Sequence, residues 1–263
     1  MKTKETANII SQEKLTEGVY SMWLETTAAK GALPGQFISV YPNDKTKLLP
    51  RPISICEIDD TKETGRLRIV YRIAGGGTEE FSKMKAGDTL EILGPNGNGF
   101  MDPVKEEIKK ETKVLLVGGG IGIPPMVALA ESLDGDVTTV AGYRSKDGLF
   151  LTKELEDAGK LVIATDDGSF GYRGTVIDAI KEAGIACDMI FACGPRLMLK
   201  GIKTLAGEKG ISAYISMEER MACGIGACLG CVCTSTDTDD HSKVKNKRIC
   251  VDGPVFEASE VVL

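Results

Sequence analysis

The chain has 263 residues, 42% of them hydrophobic and 27% charged, with a formal net charge of −6 and a pI near 5.1. That length suffices for two domains and a small third, and an acidic balance without a basic stripe excludes a surface built to neutralise nucleic-acid phosphates. Residues 1–15 lack the apolar run of a signal peptide and no stretch of about 18 uninterrupted apolar residues follows, so a cytoplasmic protein without a membrane span is expected, whose cysteines in a reducing compartment read as ligands or buried thiols.

Residues 1–102 alternate apolar and polar positions in short runs, VYSMWLE, GQFISVYP, RPISICEI, GRLRIVYRI and DTLEILGP, separated by turn signals such as Pro34-Gly35, Asn43-Asp44 and Gly87-Asp88. The pattern predicts an antiparallel β-barrel with a short helix over Glu79 to Met84. Two motifs in it carry chemistry. In Arg51-Pro52-Ile53-Ser54 an arginine fork suits a diphosphate, and a hydroxyl held on a strand can reach a flavin ring nitrogen. The plain alternative is an edge strand with one surface arginine. In Gly75-Gly76-Gly77-Thr78 a glycine turn precedes a helix start whose free N–H groups suit phosphate, or is simply a turn with Thr78 as N-cap.

The order of these motifs resembles the ferredoxin–NAD(P) reductase superfamily, in which an R-x-Y-S or R-P-x-S strand and a G-x-G-T turn hold FAD. The resemblance implies that Arg51 meets the FAD diphosphate, that Pro52 and Ile53 carry the motif strand and Ser54 the isoalloxazine edge, and that Gly77 and Thr78 meet the phosphates. It places Val70, Tyr71 and Arg72 on the adenosine-side strand. Ile53 departs from the R-x-Y-S form, so the stacked tyrosine of many members is absent.

From 110 to 215 the period changes. KVLLV reads as a buried parallel strand, GGGIGIPP opens a helix, and strand and helix then alternate through DVTTVAGY, LTKELEDAG, KLVIATDDG, VIDAIKEAG, MIFACGP, LMLKGIKTLAG and ISAYIS, which predicts a doubly wound α/β domain with a parallel sheet. Gly118, Gly119, Gly120 and Gly122 let main chain approach a diphosphate at the positive end of a helix. The match to G-x-G-x-x-G is imperfect, with Pro124 near the place of the third glycine, where proline suits a first helical turn. With Cys193-Gly194-Pro195 downstream, the region is similar to the pyridine-nucleotide half of the same superfamily, which implies cofactor contact for Cys193 and Gly194. A buried strand-end thiol is the alternative for Cys193, as for Cys56 and Cys187. Arg144 and Lys146 suit a 2′-phosphate, which Asp147 opposes; NAD is favoured by the resemblance given next.

Residues 216–263 open with MACGIGACLGCVC, where Cys223, Cys228 and Cys231 form C-x4-C-x2-C. With one distant further cysteine this is the plant-type [2Fe–2S] spacing, and Cys250 is the fourth ligand of choice, with Cys233 its rival. Gly224, Gly226 and Gly230 fit a loop that folds over a cluster. A zinc ribbon wants two separated C-x2-C pairs and only one exists. A Rieske centre needs two histidines, and the chain has one, His241 in a polar loop.

Barrel, nucleotide domain and a cysteine module ending in C-x-x-GPVF together resemble the electron-transfer subunits of type B dihydroorotate dehydrogenase. That resemblance implies a multidomain β plus α/β protein with FAD, a [2Fe–2S] cluster and NAD, in which electrons from an FMN-containing catalytic partner subunit pass through the cluster to FAD and on to NAD⁺ in pyrimidine biosynthesis. It also implies a heterotetramer of two subunits of each kind. No side-chain general base is required for hydride transfer, so no catalytic residue is assigned. The alternatives are a related subunit of a ferredoxin-dependent transhydrogenase or hydrogenase, a non-enzymatic electron carrier and a zinc-stabilised binding protein.

Overall fold

The computed structural model describes every residue except Met1, Lys62, Lys105, Glu106 and 239–242. His241, read from the sequence as a polar-loop residue, lies outside the described residues.

Six strands build the first unit: β1 (Thr3–Thr16), β2 (Val19–Glu25), β3 (Phe37–Tyr41), β4 (Arg51–Asp59), β5 (Arg66–Arg72) and β6 (Thr89–Asn96). They close in the order β1-β2-β5-β4-β3-β6, which leaves no free sheet edge. Alternation puts Met22, Leu24, Ile38, Val40, Ile55, Leu67, Ile69, Leu90 and Ile92 inside, all fully buried, each contributing about 1.5–3 kcal/mol by burial. β1 is the strand that apolar patterning does not single out. Only Ala7 and Ile9 are buried along it, because it closes the barrel by main-chain pairing to both β2 and β6. The short helix α1 spans Gly76–Phe81, three residues earlier than expected, so Thr78 is not its N-cap. Its hydroxyl instead accepts the N–H groups of Ala74 at 2.8 Å and Gly75 at 3.3 Å.

The second unit runs β7 (Lys113–Gly119), α2 (Pro124–Ser132), β8 (Asp136–Tyr143), α3 (Thr152–Ala158), β9 (Lys160–Thr165), β10 (Tyr172–Arg173), α4 (Val176–Glu182), β11 (Met189–Cys193), α5 (Arg196–Lys209) and β12 (Ser212–Ser216). Along β7, Leu115 and Val117 pack with α4 and α5, whereas Val114 and Leu116 pack with α2. A parallel strand covered on both faces has to be apolar throughout, which is why KVLLV reads as one run. Beyond residue 216 come a small antiparallel pair, β13 (Val232–Thr234) with β14 (Asn246–Arg248), and β15 (Val255–Glu257). β15 joins the nucleotide sheet, antiparallel to β12 through Ile215↔Phe256, so the sheet order is β10-β9-β8-β7-β11-β12-β15. The cysteine-bearing segment is thereby hydrogen-bonded to the nucleotide unit.

Barrel and sheet meet where α2 lies against β4. Val19, Cys56 and Val70 of the barrel share an apolar cluster with Ile123 and Val127. Beside it Arg68, only 7% exposed, pairs with Glu57 of β4 and, at 2.8 Å, with Glu154 of α3. A buried cation held by carboxylates from both units orients one against the other, since separating them would leave charge uncompensated. Among the described residues no helix is long and apolar enough to cross a membrane.

Candidate functional site

Three neighbouring features make up the site. The first is an opening in the barrel wall. The register of β4 with β5 runs from Asp59↔Arg66 to Ile55↔Ile69 and ends; from there Arg51, Pro52, Ile53 and Ser54 pair with β3, and Val70, Tyr71 and Arg72 with β2. The two strands part, and the two predicted groups line opposite sides of the gap. Ser54 sits opposite Phe37 and Pro52 opposite Ser39, so these four share the outward face. Ile53 and Tyr71 alternate inward. Ile53 packs against the barrel core, and the Tyr71 ring stacks on Tyr20, its hydroxyl donating to Gln12 Oε1 at 2.9 Å. Tyr71 therefore offers the gap main chain alone.

The glycine turn closes one end of this gap. A Cβ on Gly77 would lie 2.5 Å from Arg51 Nε, so only glycine lets the guanidinium lie along the turn, and the two sequence motifs meet there. Lys47, which the sequence reading passed over, also reaches the turn, 3.3 Å from a Cβ built on Gly76. It is held by Glu80 at 2.7 Å and Asp44 at 3.2 Å.

The second feature is a cavity of about 870 Å³ at the C-terminal ends of β7, β8, β9 and β11. In sheet order the chain reverses direction between β7 and β11, and a ligand crevice is expected at such a switch point. Gly119, Gly120 and Gly122 line it, with Gly194 and, from the barrel, Arg72. A Cβ on Gly122 would come within 2.2 Å of the Cys193 carbonyl oxygen, and one on Gly119 within 2.6 Å of Met198 Sδ. The glycine loop and the Cys-Gly-Pro turn are thus pressed together as a single wall. Gly118 lies one residue behind it, with space for a Cβ taken by Ile123. Cys193 gives the wall its carbonyl, while its thiol is buried in the core and pushed up to about 12, by burial and then by the Glu218 charge. Glu218 lines the cavity and had no sequence signal; desolvation raises its carboxyl, with Arg72 opposing. At the far end stand Arg144, Asp147 and Asp166; Lys146 does not line the cavity, and its main-chain N–H donates to Ser169 Oγ at 2.7 Å.

The third feature is the thiol group. Cys223 and Cys228 are within hydrogen-bonding reach of each other, as are Cys231 and Cys250. Partial burial would raise the Cys223 thiol, but the N–H groups of Ile225, Cys228 and Ala227 and the Cys228 side chain bring it down to about 6. Burial, followed by the Cys231 thiol, pushes Cys250 up to about 12, against one N–H group, that of Gly226. The Ile225 N–H donates to Cys223 Sγ at 3.5 Å and that of Gly230 to Cys228 Sγ at 3.4 Å, the outer-shell donors that orient thiolate ligands. Among the described residues no three Cys, His, Asp or Glu side chains converge on a single metal position. Two pairs of thiols suit a two-iron cluster, in which each iron takes two, better than one tetrahedral zinc that needs four. Cys233 stands apart on β13, opposite Lys247.

Family models match two of these regions: residues 6–100 fit the oxidoreductase FAD-binding domain, and residues 218–262 the iron–sulfur cluster binding domain of dihydroorotate dehydrogenase B. The dihydroorotate dehydrogenase B (NAD(+)) electron transfer subunit of Listeria monocytogenes serotype 4a is 42% identical, with 97% of each chain covered.

The chain belongs to the electron-transfer subunits of dihydroorotate dehydrogenase B.

The member from Streptococcus mutans serotype c is 40% identical over 99% of this chain and 98% of its own. Among solved structures, the NADH-dependent reduced ferredoxin-NADP oxidoreductase studied for flavin-based electron bifurcation matches with a TM-score of 0.84 and 32% identity, covering 97% of this chain and 89% of that one. In this electron-transfer subunit the cysteine loop also touches the barrel: a Cβ on Gly224 would lie 2.8 Å from Ser39 Oγ. Ser39 carries no motif signal, because its significance is only its place on β3 between the cluster loop and the strand of Arg51 to Ser54.

Proposed function

We propose that this chain is the electron outlet of a dihydroorotate-oxidising complex, receiving electrons at Cys223, Cys228, Cys231 and Cys250 and delivering hydride to NAD⁺ in the cavity at the switch point. The observation that carries this reading is the contiguity of the three features. Gly224, next to Cys223, rests on Ser39; Ser39 pairs with Pro52 of the parted strand; and Arg72, across the gap, borders the nucleotide cavity.

FAD, when bound, supplies the junction between one-electron and two-electron chemistry that neither an iron–sulfur cluster nor NAD can supply alone. Arg51 holds its diphosphate, with Gly77 and Thr78 offering the main chain of the turn. Ser54 meets the ring edge, and Val70, Tyr71 and Arg72 form the opposite side. Gly118, Gly119, Gly120 and Gly122 admit the dinucleotide to the start of α2, and Gly194, seated on Cys193, bounds the nicotinamide end. The carboxylates of Asp147 and Asp166 beside Arg144 favour a ribose hydroxyl over a 2′-phosphate. This assigns residues 1–102 to FAD, 110–215 to NAD and 216–263 to the cluster.

The electron source is an FMN-containing catalytic subunit, in a heterotetramer of two subunits of each kind. Around the exposed Cys228, Ile225 at 53%, Leu229 at 59% and Val251 at 38% exposure present apolar surface on which that partner is placed.

Arg51→Ala is expected to weaken FAD binding by about 1.5–3 kcal/mol, roughly ten- to hundredfold in Kd, the worth of hydrogen bonds to a charged group; fluorescence titration of the apoprotein with FAD measures it. The function itself is tested by anaerobic dihydroorotate-dependent NAD⁺ reduction with this subunit, its co-expressed FMN partner and the mixture. Activity in the mixture alone is expected. A silent mixture, with NADH oxidation by a dye intact in this subunit, would refute the partner and make ferredoxin the acceptor to try.

A further inference from the structure

The four thiols come from two separate pieces of chain, the 223–231 loop and the turn that carries Cys250, and their geometry depends on what ties these pieces together. Arg248, the last residue of β14, reaches both. Its Nε donates to Asp252 Oδ2 at 3.1 Å and its Nη2 to Asp252 Oδ1 at 3.0 Å, a two-pronged pair spanning the Cys250 turn. The Arg248 N–H donates to the same Oδ2 at 2.7 Å, and the Arg248 carbonyl accepts the N–H groups of Val251 at 3.1 Å and Asp252 at 2.8 Å. The remaining prong, Nη1, crosses to the Gly226 carbonyl at 3.4 Å.

Gly226 sits where the two pieces lie too close for any side chain. Its φ is +85° and a Cβ there would sit 2.6 Å from Val251 Cγ2, while its N–H is directed at the Cys250 sulfur. Pairing of Val232 with Arg248 in the β13–β14 ladder, and the Ile249 N–H donating to the Cys231 carbonyl at 3.0 Å, complete the seam.

We infer that Arg248 and Asp252 are a brace that positions the cluster, locking the Cys250 turn against the three-cysteine loop through the Gly226 carbonyl. They are positioning residues, not ligands, and the inference rests on the reading that the four thiols hold a [2Fe–2S] cluster. Arginine suits the place because its planar fork can grip a carboxylate with two donors and keep a third for a carbonyl, which a lysine ammonium cannot do in one fixed geometry. The pair also sets a charge balance. Cluster reduction adds negative charge, so Asp252 without Arg248 opposes it and Arg248 without Asp252 favours it.

The test uses the full chain loaded with flavin and cluster, as wild type, Arg248→Gln, Asp252→Asn and Arg248→Lys. Cluster loss is followed as bleaching by a ferrous-iron chelator under reducing conditions, and the midpoint potential by a redox titration read by EPR. Arg248→Gln and Asp252→Asn are expected to lose the cluster roughly ten- to hundredfold faster, the range for outer-shell partners, with Arg248→Lys between them and wild type. Their potentials are expected to move in opposite directions, down for Arg248→Gln and up for Asp252→Asn. Variants that purify with FAD but no cluster, where Arg248→Lys retains it, express the same role. Loss rates within about twofold of wild type, potentials that move together, or loss of FAD along with the cluster would overturn the brace. A wild-type chain without a cluster EPR signal would overturn the four-thiol reading first, and the brace with it.

Discussion

Cys228→Ser is expected to abolish dihydroorotate-dependent NAD⁺ reduction by the assembled complex while leaving NADH oxidation by an artificial dye intact in the same preparation. Cys228 is the exposed member of the group, within reach of Cys223, and its sulfur accepts the Gly230 N–H at 3.4 Å. Serine offers a harder oxygen donor with a far higher pKa than a thiol, so it would be a poor replacement for one of the four thiolates that would hold the cluster. The loss should exceed the roughly 100-fold that removing even an outer-shell partner costs. On the proposed assignment NADH oxidation by a dye uses the barrel and the cavity alone, so it is expected to be independent of Cys228. Parallel assays of the two activities, with iron and flavin counted in the same sample, separate the outcomes. Equal loss of both would show that the cysteine loop supports the flavin barrel as a whole, through its contact on Ser39, and would sink the proposed route.

Gly122→Ala is expected to do the reverse, suppressing NADH oxidation while the cluster persists. The added Cβ would stand 2.2 Å from the Cys193 carbonyl oxygen and 2.7 Å from the Gly194 nitrogen, both main chain, so no side chain can swing aside. Either the glycine loop or the Cys-Gly-Pro turn must retreat by about 1 Å, and a misplacement of that size between reacting groups costs roughly 10²-fold in rate. Overpacking of this kind also costs about 1–3 kcal/mol of stability. Stopped-flow reduction of the bound flavin by NADH reads the first effect and urea denaturation the second. Gly207→Ala, in the last turn of α5 with open space around its Cβ, is the control. It is expected to gain about 0.4–1 kcal/mol and to leave flavin reduction unchanged. If Gly122→Ala reduces flavin at the wild-type rate, the nucleotide does not use this wall.

Much of the fold is legible because its signals are local. The continuous apolar run before Gly118 needs two covered faces, and Pro124 at the start of α2 is tolerated because the first-turn N–H is free in any helix. β1 was not legible, since its pairing is main chain to main chain and two inward residues satisfy it. Thr78 looks like a cap in the sequence because threonine before acidic residues usually is one; the helix starts earlier, with Gly75 as its N-cap, because Gly76 and Gly77 enter it at little steric cost. The resemblance puts Tyr71 and Cys193 at the cofactors, and in both the side chain turns into a core, leaving main chain at the site. Glu218, Ser39 and Lys47 carry no spacing signature, because what each meets at the site is distant in sequence, and the Arg248–Asp252 pair is an ordinary i, i+4 ion pair until the fold sets Gly226 beside it.

By itself the amino-acid sequence determined the kinds of site this protein has. Cysteine spacing, glycine clusters and a strand-borne arginine encode donor type and backbone freedom, which are properties of a few adjacent residues. Tertiary structure alone decided how the sites relate. It paired the four thiols two by two, parted β4 from β5, pressed Gly122 against Cys193 and set Gly224 on Ser39. Each of these depends on which distant surfaces exclude water together, and close packing tolerates only one arrangement of them. Electron transfer through this chain depends on that arrangement, for it places the three sites side by side.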